Sequence, residues 1–292
     1  MFPFKPLDVS DLEIVNEYVN INKFVNSEYC FSTFFSWQKP FKIEFTIIEN
    51  CLCGRGRWAG FEYHYMPLGK DGDVYNAVIA LKDHCENEKK PLVLLSVSDD
   101  MIEQLDKIGL KDDFRLEERP EFFDYVYKRD KLINLHGKKL HGRRNHLNYF
   151  LTNYKYSMED ITEGNSAACR EMLIRAIDDR SEDAADEIDV TLDAFDNREG
   201  LRLIGSALTV GGEIAGVILA EDVNKMAVIQ IAKADVSFRG ASVALFKFFL
   251  ENNMTDCENI NFMDDMGIEG LRTVKLSYAP DFFIKKYALW GK

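Results

Sequence analysis

The chain has 292 residues, of which 46% are hydrophobic, and it carries a formal net charge of −13 at pH 7. This length and apolar content suffice for one large domain or for two of about 130 to 150 residues. The acidic balance excludes a general nucleic-acid binder and DNA as a partner, because neutralised phosphates supply most of the affinity of such proteins.

The first part of the chain mixes helices with strands. Apolar residues at helical spacing predict helices over residues 8–19, 27–37 and 73–90, and a short one near 99–107. Apolar and polar residues alternate over 41–50 and 51–69, which predicts two strands that pair around Asn50. The apolar run "PLVLLSVS" predicts a buried strand over 91–98. This pattern predicts a sheet with helices against it.

The second part of the chain also mixes helices with strands. Residues 117–135 contain an extended segment, and a basic stretch, "GKKLHGRRNHLNYFLTNY", predicts a helix over 137–154. Further elements follow in the order helix (163–180), helix (183–198), hairpin (204–221, turning at Gly211 and Gly212), strand (226–234), helix (241–253) and strand (259–262). The order predicts two mixed units in tandem, residues 1–130 and 131–292, although no residue-level repeat is visible.

A strand-to-helix corner lies in "KADVSFRGASVALFKFF", residues 233–249. The first N–H groups of the helix are exposed at such a corner, Gly240 allows close approach to the backbone, and Arg239 can bind a phosphate or carboxylate. We therefore predict an anion site at Arg239, Gly240 and Ala241. The alternative is a tight turn with a surface arginine.

The segment "NFMDDMGIEGLRTVKLSYAP", residues 261–280, combines acids, bases and a short helical pattern. Arg272 and Lys275 are three residues apart, which places them on one face of a helix. A site and a fold junction both fit this composition.

The order of hairpin, strand, "RGA" turn, helix and strand resembles the acyl-CoA N-acyltransferase (GNAT) fold, in which that turn cradles a pyrophosphate. Three stretches, "LHGKKLHGRRNHLNYF", "IAKADVSFRGASVALFKFFLE" and "NFMDDMGIEGLRTVKLSYAP", are together similar to the C-terminal domain of bacterial phosphatidylglycerol lysyltransferases and their uncharacterised soluble relatives. The resemblance implies an α+β fold with two tandem GNAT-like domains, each a mostly antiparallel mixed sheet flanked by helices.

The family pattern is well kept in the third stretch. The matching positions are Asp265, Gly267, Gly270, Leu271, Arg272, Lys275, Ser277, Tyr278 and Pro280. Met263 and Asp264 depart from it, since the family usually shows Arg and Glu there. In the "RGA" turn, Gly240 follows Arg239 at once, whereas the GNAT pattern separates the two residues.

The resemblance implies transfer of an acyl or aminoacyl group, which needs a held donor, a deprotonated acceptor and stabilisation of the oxyanion. Asp264 or Asp265 then accepts a proton or binds an ammonium group, Arg272 and Lys275 hold a phosphate or the oxyanion, and Tyr278 protonates the leaving group. Each has a structural alternative: the acids cap the helix, Arg272 pairs with Asp265, and Tyr278 with Pro280 ends the helix.

Residues 128–144, named here the basic segment, carry seven Lys or Arg and one Asp. Arg143, Arg144 and Asn145 could meet tRNA phosphates, an anionic membrane surface or a phosphorylated donor, and the alternative is a solvated face. Acyl-CoA or aminoacyl-tRNA is the expected co-substrate, with no tightly bound cofactor. The competing function is a non-catalytic module that binds a phosphorylated ligand or a protein.

No run reaches the about 18 apolar residues of a membrane-spanning helix, and no signal-peptide pattern is present, so we expect a cytoplasmic protein. The six cysteines are scattered, which predicts free thiols. Cys51 and Cys53 lack a second ligand pair, and His136, His141 and His146 recur every five residues and so leave one helical face. We therefore predict no metal site.

Overall fold

The computed structural model describes residues 2–177 and 184–292. The strands are β1 (Glu44–Ile48), β2 (Cys51–Trp58), β3 (Phe61–His64), β4 (Val93–Val97), β5 (Phe114–Glu118), β6 (Asp124–Lys128), β7 (Tyr156–Asp160), β8 (Ile204–Val210), β9 (Glu213–Val223), β10 (Met226–Ala234), β11 (Asn259–Asn261), β12 (Phe282–Ile284) and β13 (Tyr287–Gly291). The helices are α1 (Leu12–Asn22), α2 (Phe31–Phe41), α3 (Asp71–Asn87), α4 (Asp99–Lys107), α5 (Arg129–Asn134), α6 (His141–Asn153), α7 (Glu163–Ala176), α8 (Ala184–Asp196), α9 (Ala241–Asn252) and α10 (Glu269–Leu276).

Most of these elements match the predicted ones. The hairpin of β8 and β9 turns at Gly211 and Gly212, which both have the positive φ that such a turn needs and that glycine adopts without strain. The two helices predicted over 163–180 and 183–198 correspond to α7 and α8, and residues 178–183 of these predictions lie outside the described residues. The prediction of an α+β chain whose sheets are mostly antiparallel is confirmed.

The chain divides into two compact units, residues 1–124 with 283–292, and residues 125–282. The predicted division into domains at residues 1–130 and 131–292 stays a prediction. Unit 1 contains a six-stranded sheet in the order β1-β2-β3-β4-β13-β5, so that β13 separates β4 from β5. β13 is antiparallel to both neighbours, and β5 is an edge strand that pairs with β13.

A buried ion cluster lies beside β13 in unit 1. The ammonium group of Lys286 is 2.6 Å from an oxygen of Asp124, 2.6 Å from an oxygen of Glu28 and 3.1 Å from the hydroxyl of Ser27. Asp124 also accepts hydrogen bonds from the backbone N–H and the hydroxyl of Ser27, both at 2.7 Å. Lys286 and Asp124 are almost fully buried, so each needs the other to offset its lost hydration.

The second sheet has seven strands in the order β12-β6-β11-β10-β9-β8-β7, and most of its residues belong to unit 2. The core helix of this unit, α9, is apolar on most of its surface, and seven of its twelve residues are buried, as expected for a helix packed inside a domain. Residues of α9, β9, β10 and the α5–α6 region form one hydrophobic cluster.

β10 and β11 are the parallel pair of this sheet, and they pair over three residues only, Met226–Val228 with Asn259–Asn261. β10 then continues to Ala234, whereas the chain leaves β11 and pairs at Phe262 and Met263 with the backbone of Tyr125. The pairing of the two strands therefore ends at Val228 and Asn261, where the 261–280 segment starts.

The six cysteines are buried and free, as predicted. Burial raises the pKa of the Cys51 thiol to about 12, and that of Cys169 to about 11, so these thiols are poorly ionised at neutral pH. None of the helices within residues 2–177 and 184–292 is both long and apolar enough to cross a bilayer.

Candidate functional site

Asp265 is the centre of a hydrogen-bond network between β6, β11 and α10. Its two carboxylate oxygens accept from Nε of Arg272 at 2.9 Å and from Nη2 of the same residue at 3.0 Å. They also accept from the backbone N–H of Gly267 at 2.8 Å and from the hydroxyl of Tyr125. The carboxylate is fully buried, and the four donors replace its hydration.

The network fixes the charge state of both partners. Burial opposes ionisation of Asp265, but the hydrogen bonds from Arg272, Tyr125 and Gly267 outweigh it and lower the pKa of the carboxyl group below its usual value. Burial and the Asp265 carboxylate raise the pKa of Tyr125 to about 12. The hydrogen bonds to Asp265 raise the pKa of Arg272, so that the pair is ionic throughout the neutral range.

α10 turns its two basic residues toward the body of unit 2. Arg272 reaches Asp265, and Nζ of Lys275 donates to the carbonyl of Phe262 at 2.7 Å and to the carbonyl of Asp264. The carboxylate of Asp264 accepts from the N–H of Met266 at 3.0 Å in a local turn. Arg272 and Lys275 are therefore on the same side of α10, as their spacing predicted, and they contact Asp265 and the backbone of Asp264. The catalytic roles of the four residues stay predictions.

Replacing Asp265 with Asn should lower the free energy of unfolding at pH 7 by about 1–3 kcal/mol, the range for hydrogen bonds to a charged group. Because the folded pKa of Asp265 lies below its unfolded value of about 3.9, its contribution is present above that pH and is lost as pH falls further. The variant should therefore lose less stability than the wild type between about pH 5 and pH 2. Urea unfolding at several pH values measures both effects.

The matched control for this prediction is Asp196→Asn. Asp196 pairs with Arg170 at 3.2 Å, but both side chains are about half exposed, so the substitution should change stability at pH 7 by less than about 1 kcal/mol. If Asp265→Asn and Asp196→Asn lost the same free energy of unfolding at pH 7, the buried network would not stabilise the fold.

Tyr278 lies in the core of unit 2 beneath the guanidinium of Arg143, which is 4.2 Å from the centre of its ring. Its hydroxyl is buried and faces the side chain of Ser242 on α9, outside ideal hydrogen-bonding geometry. Burial raises the pKa of Tyr278, so the hydroxyl keeps its proton at neutral pH. Nε of Arg143 donates to the hydroxyl of Ser277 at 3.0 Å, which ties α6 to the end of α10.

The other predicted residues of α6 have local partners. Nη1 of Arg144 donates to the carbonyl of Gly137 at 2.8 Å and to that of Leu135, the C-cap residue of α5. The amide of Asn145 is 3.2 Å from Nε2 of His141, one helical turn away. The structure therefore brings Arg143 to the 261–280 segment, whereas Arg144 contacts the α5–α6 turn and Asn145 contacts the first residue of α6. The ligand-binding roles of the three residues stay predictions.

The "RGA" turn packs closely on α6. Gly240 has a φ of +91°, and a Cβ atom there would lie 2.2 Å from the carbonyl oxygen of His146, so the glycine is required by this contact and by its backbone angle. The guanidinium of Arg239 lies over the ring of Tyr149, at 4.6 Å, and the N–H of Ala241 donates to the carbonyl of Phe238 at 2.9 Å. An anion at this turn stays a prediction.

Two residues of the network are absent from the predicted set. Tyr125 and Tyr127 are on β6, where Tyr125 donates to Asp265 and the hydroxyl of Tyr127 donates to the carbonyl of Lys275 at 2.7 Å. Ser277, a position of the family pattern to which no role was assigned, accepts from Arg143. The alternation of the two tyrosines in "DYVYK" indicates a strand with one polar-tipped face, but nothing in the sequence identifies partners so distant along the chain.

Within the described ranges, no group of three or more His, Cys, Asp or Glu side chains could hold a metal ion. The site offers instead the half-buried acid Asp264, an arginine fixed by the buried Asp265, a lysine bound to carbonyls and a buried tyrosine. Such a set can bind anions and transfer protons.

Comparison with known proteins gives a family for most of the chain. The model of the family "phosphatidylglycerol lysyltransferase, C-terminal" matches residues 20–290. An uncharacterised protein of Mycoplasmoides gallisepticum is 28% identical over 170 residues, which are 56% of this chain and 54% of that protein. The chain thus spans about half the length of the curated relative it matches.

Solved structures extend the likeness to the whole fold. A conserved protein of unknown function from Bacteroides thetaiotaomicron has a TM-score of 0.91, 29% identity and full coverage of both chains. L-PGS from Bacillus licheniformis has a TM-score of 0.65 at 13% identity, over 96% of this chain and 91% of that one. A tandem GNAT protein from the clavulanic acid pathway has a TM-score of 0.51 at 9% identity, over 100% of this chain and 98% of that one. The last two show the fold alone, and the predicted tandem GNAT-like fold is confirmed.

Proposed function

Because the chain belongs to the family of phosphatidylglycerol lysyltransferase C-terminal domains, we propose that it transfers an acyl or aminoacyl group to an amine or hydroxyl acceptor. The donor is a thioester such as acyl-CoA or a charged tRNA, and a lipid head group is one such acceptor. The proposal rests on the family, on the fold and on one feature of the site.

That feature is the position of Arg272. Two of its N–H groups are fixed by the buried Asp265, while 44% of the side chain remains exposed. A guanidinium held in this way is permanently charged and cannot swing away, and its other N–H groups can bind a phosphate or a developing oxyanion. Preorganised charge of this kind is what acyl transfer needs, because the carbonyl oxygen becomes negative in the transition state.

The proposed reaction needs no covalent enzyme intermediate. A nitrogen or oxygen of the acceptor attacks the donor carbonyl, a new amide or ester bond forms, and the C–S or C–O bond to the leaving group breaks. Asp264 takes the proton that the acceptor loses and then supplies it to the leaving sulfur or oxygen. Protonation of the leaving group by Tyr278 stays a prediction, because its hydroxyl is buried in the core. Arg272 stabilises the oxyanion, and Asp265 is a positioning residue for it.

The donor is proposed to lie where β10 and β11 separate. Along the chain, β10 is followed by Arg239, Gly240 and the start of α9 at Ala241, and β11 is followed by the 261–280 segment. Arg143 belongs to the basic segment and contacts Ser277, so it supplies positive charge beside the same segment. A phosphorylated donor fits this distribution of charge better than a neutral one.

The test is a transfer assay with the full chain and two labelled donors, an aminoacyl-tRNA mixture and an acyl-CoA. Acceptors are an anionic lipid extract and a set of small amines, and the product is separated and counted. We expect label to move from one donor class to one acceptor class. A donor or coenzyme A analogue that raises the Tm by mass action while no label moves would instead support a non-catalytic binding module.

A further inference from the structure

β7 is the last strand at one edge of the seven-stranded sheet, and among the strands that the structure describes it pairs with β8 alone. Four of its five residues are exposed, and Met158 is half-buried. Proteins usually cover such an edge or block it with a proline or a bulge, because its free backbone groups can bind a further strand. β7 has neither a proline nor a shift of register, so its edge is open to pairing.

The register with β8 decides which backbone groups of β7 face outward. The N–H of Gly211 donates to the carbonyl of Lys155 at 3.1 Å, and the pairing then continues without a shift along the whole strand. Hydrogen-bonded and non-hydrogen-bonded pairs alternate in an antiparallel ladder, so Lys155 and every second residue after it direct their backbone groups toward β8. The N–H and C=O groups of Tyr156 and Met158, the residues between them, therefore point away from the sheet.

The side chains of β7 divide into an apolar face and a charged face. The ring of Tyr156 stacks on that of Phe248 at 4.8 Å, and Met158 packs against the hydrophobic cluster of unit 2. Because successive side chains of a strand alternate between its faces, Lys155 and Glu159 share the opposite face. Both are exposed, and neither has an ion-pair partner within the part of the chain that the structure describes.

The sequence of β7 is complementary to itself in one antiparallel register. When two copies pair edge to edge about a twofold axis at Ser157, Lys155 of each copy lies opposite Glu159 of the other. Tyr156 then lies opposite Met158, and their outward N–H and C=O groups bond to each other. Opposite charges and aromatic–thioether contacts both stabilise directly opposed side chains. An axis at Tyr156 or at Met158 keeps the backbone pairing but separates the charges.

We propose that β7 is the contact between two copies of this chain, which pair about a twofold axis at Ser157 and join their sheets into one. A stable interface buries about 1,200 Å² or more, which exceeds what one short strand pair supplies, so we expect weak association. Tyr149 and Leu151, exposed near the end of α6, add apolar surface just before the strand. The contact needs no donor or acceptor, so it goes beyond the proposed transfer.

The test is sedimentation velocity of the full chain at about 1 to 300 µM, in which we expect the mass to rise from monomer to dimer. Lys155→Glu and Glu159→Lys each place like charges opposite one another, and each should raise the dimer Kd at least about tenfold. An equimolar mixture of the two variants should restore wild-type association, because every reversed charge then meets an opposite one. The effect of each reversal should shrink in 0.5 M NaCl.

The matched controls reverse two exposed charges elsewhere on the same sheet. Lys225→Glu lies in the turn between β9 and β10, and Glu213→Lys is at the start of β9. Both should associate like the wild type, alone and when mixed, and circular dichroism melting checks that all variants fold.

Amide hydrogen exchange of the wild type tests the same contact without any substitution. The N–H groups of Tyr156 and Met158 should exchange more slowly as the protein concentration rises, because the second copy binds them. Those of Ser157 and Glu159 are already bonded to β8, so their exchange should not depend on concentration.

Three results would overturn the proposal. They are a monomer over the whole concentration range, a dimer that neither charge reversal weakens or that mixing does not restore, and exchange at Tyr156 and Met158 that is independent of concentration. Because association is measured without a donor, its failure is separate from a failure of the transfer assay.

Discussion

Replacing Arg272 with Ala is expected to lower kcat/KM for the proposed transfer by about 10²–10³-fold, the usual effect of removing one preorganised donor that stabilises the oxyanion. The guanidinium is half exposed and is held by the buried Asp265, so its loss removes a fixed charge and also two of the four donors to that carboxylate. Arg272→Lys keeps the charge but cannot make the bidentate contact with Asp265, and we expect an intermediate loss. Initial rates over a range of donor concentrations measure the effect.

The control is Arg170→Ala, because the side chain of Arg170 is also 44% exposed and also pairs with a carboxylate, that of Asp196. Its kcat/KM should equal that of the wild type. Equal rates for Arg272→Ala and the wild type would remove Arg272 from the mechanism, whereas a loss in both variants would indicate a general effect of surface charge.

Replacing Lys286 with Met is expected to lower the free energy of unfolding by about 3–5 kcal/mol, because it leaves the buried carboxylate of Asp124, and the neighbouring Glu28, without their common cation. Urea denaturation measures this loss. A second substitution, Asp124→Asn, should restore part of it, since it removes one of the two uncompensated charges.

The neighbouring residue provides the control. Lys285 pairs with Glu118 at 2.9 Å, but both side chains are about half exposed, so Lys285→Met should cost less than about 1 kcal/mol. Similar stabilities for Lys285→Met and Lys286→Met would contradict a stabilising role for the buried cluster.

The features of the fold and of the site that depend on local contacts can be predicted from the sequence. The helix at 269–276 follows from its apolar spacing. The pairing of Arg272 with Asp265, seven positions away, is one of the two interpretations that the sequence allows for Arg272. The tight "RGA" turn is one of the two interpretations that its sequence allows, and its glycine is required by the backbone of His146 on α6, which no pattern in the turn reveals.

The remaining features depend on contacts between distant parts of the chain. Tyr125 meets Asp265 across 140 positions, and Lys286 meets Asp124 across 162. A single sequence contains the residue types of these pairs but not their pairing. For the same reason the last strand, β13, was not predicted: its alternation is short, and its place between β4 and β5 depends on strands far upstream.

The place of β13 has a consequence for biosynthesis. A ribosome releases the chain from its N-terminus, so β4 and β5 emerge early, while the strand that joins them emerges only after all of unit 2. Until then β5 lacks the neighbour it pairs with, and Asp124 lacks the cation of Lys286. Unit 2 can therefore fold during translation, whereas unit 1 must wait in an incomplete state with an open sheet, the stage at which a chaperone or a protease would find it.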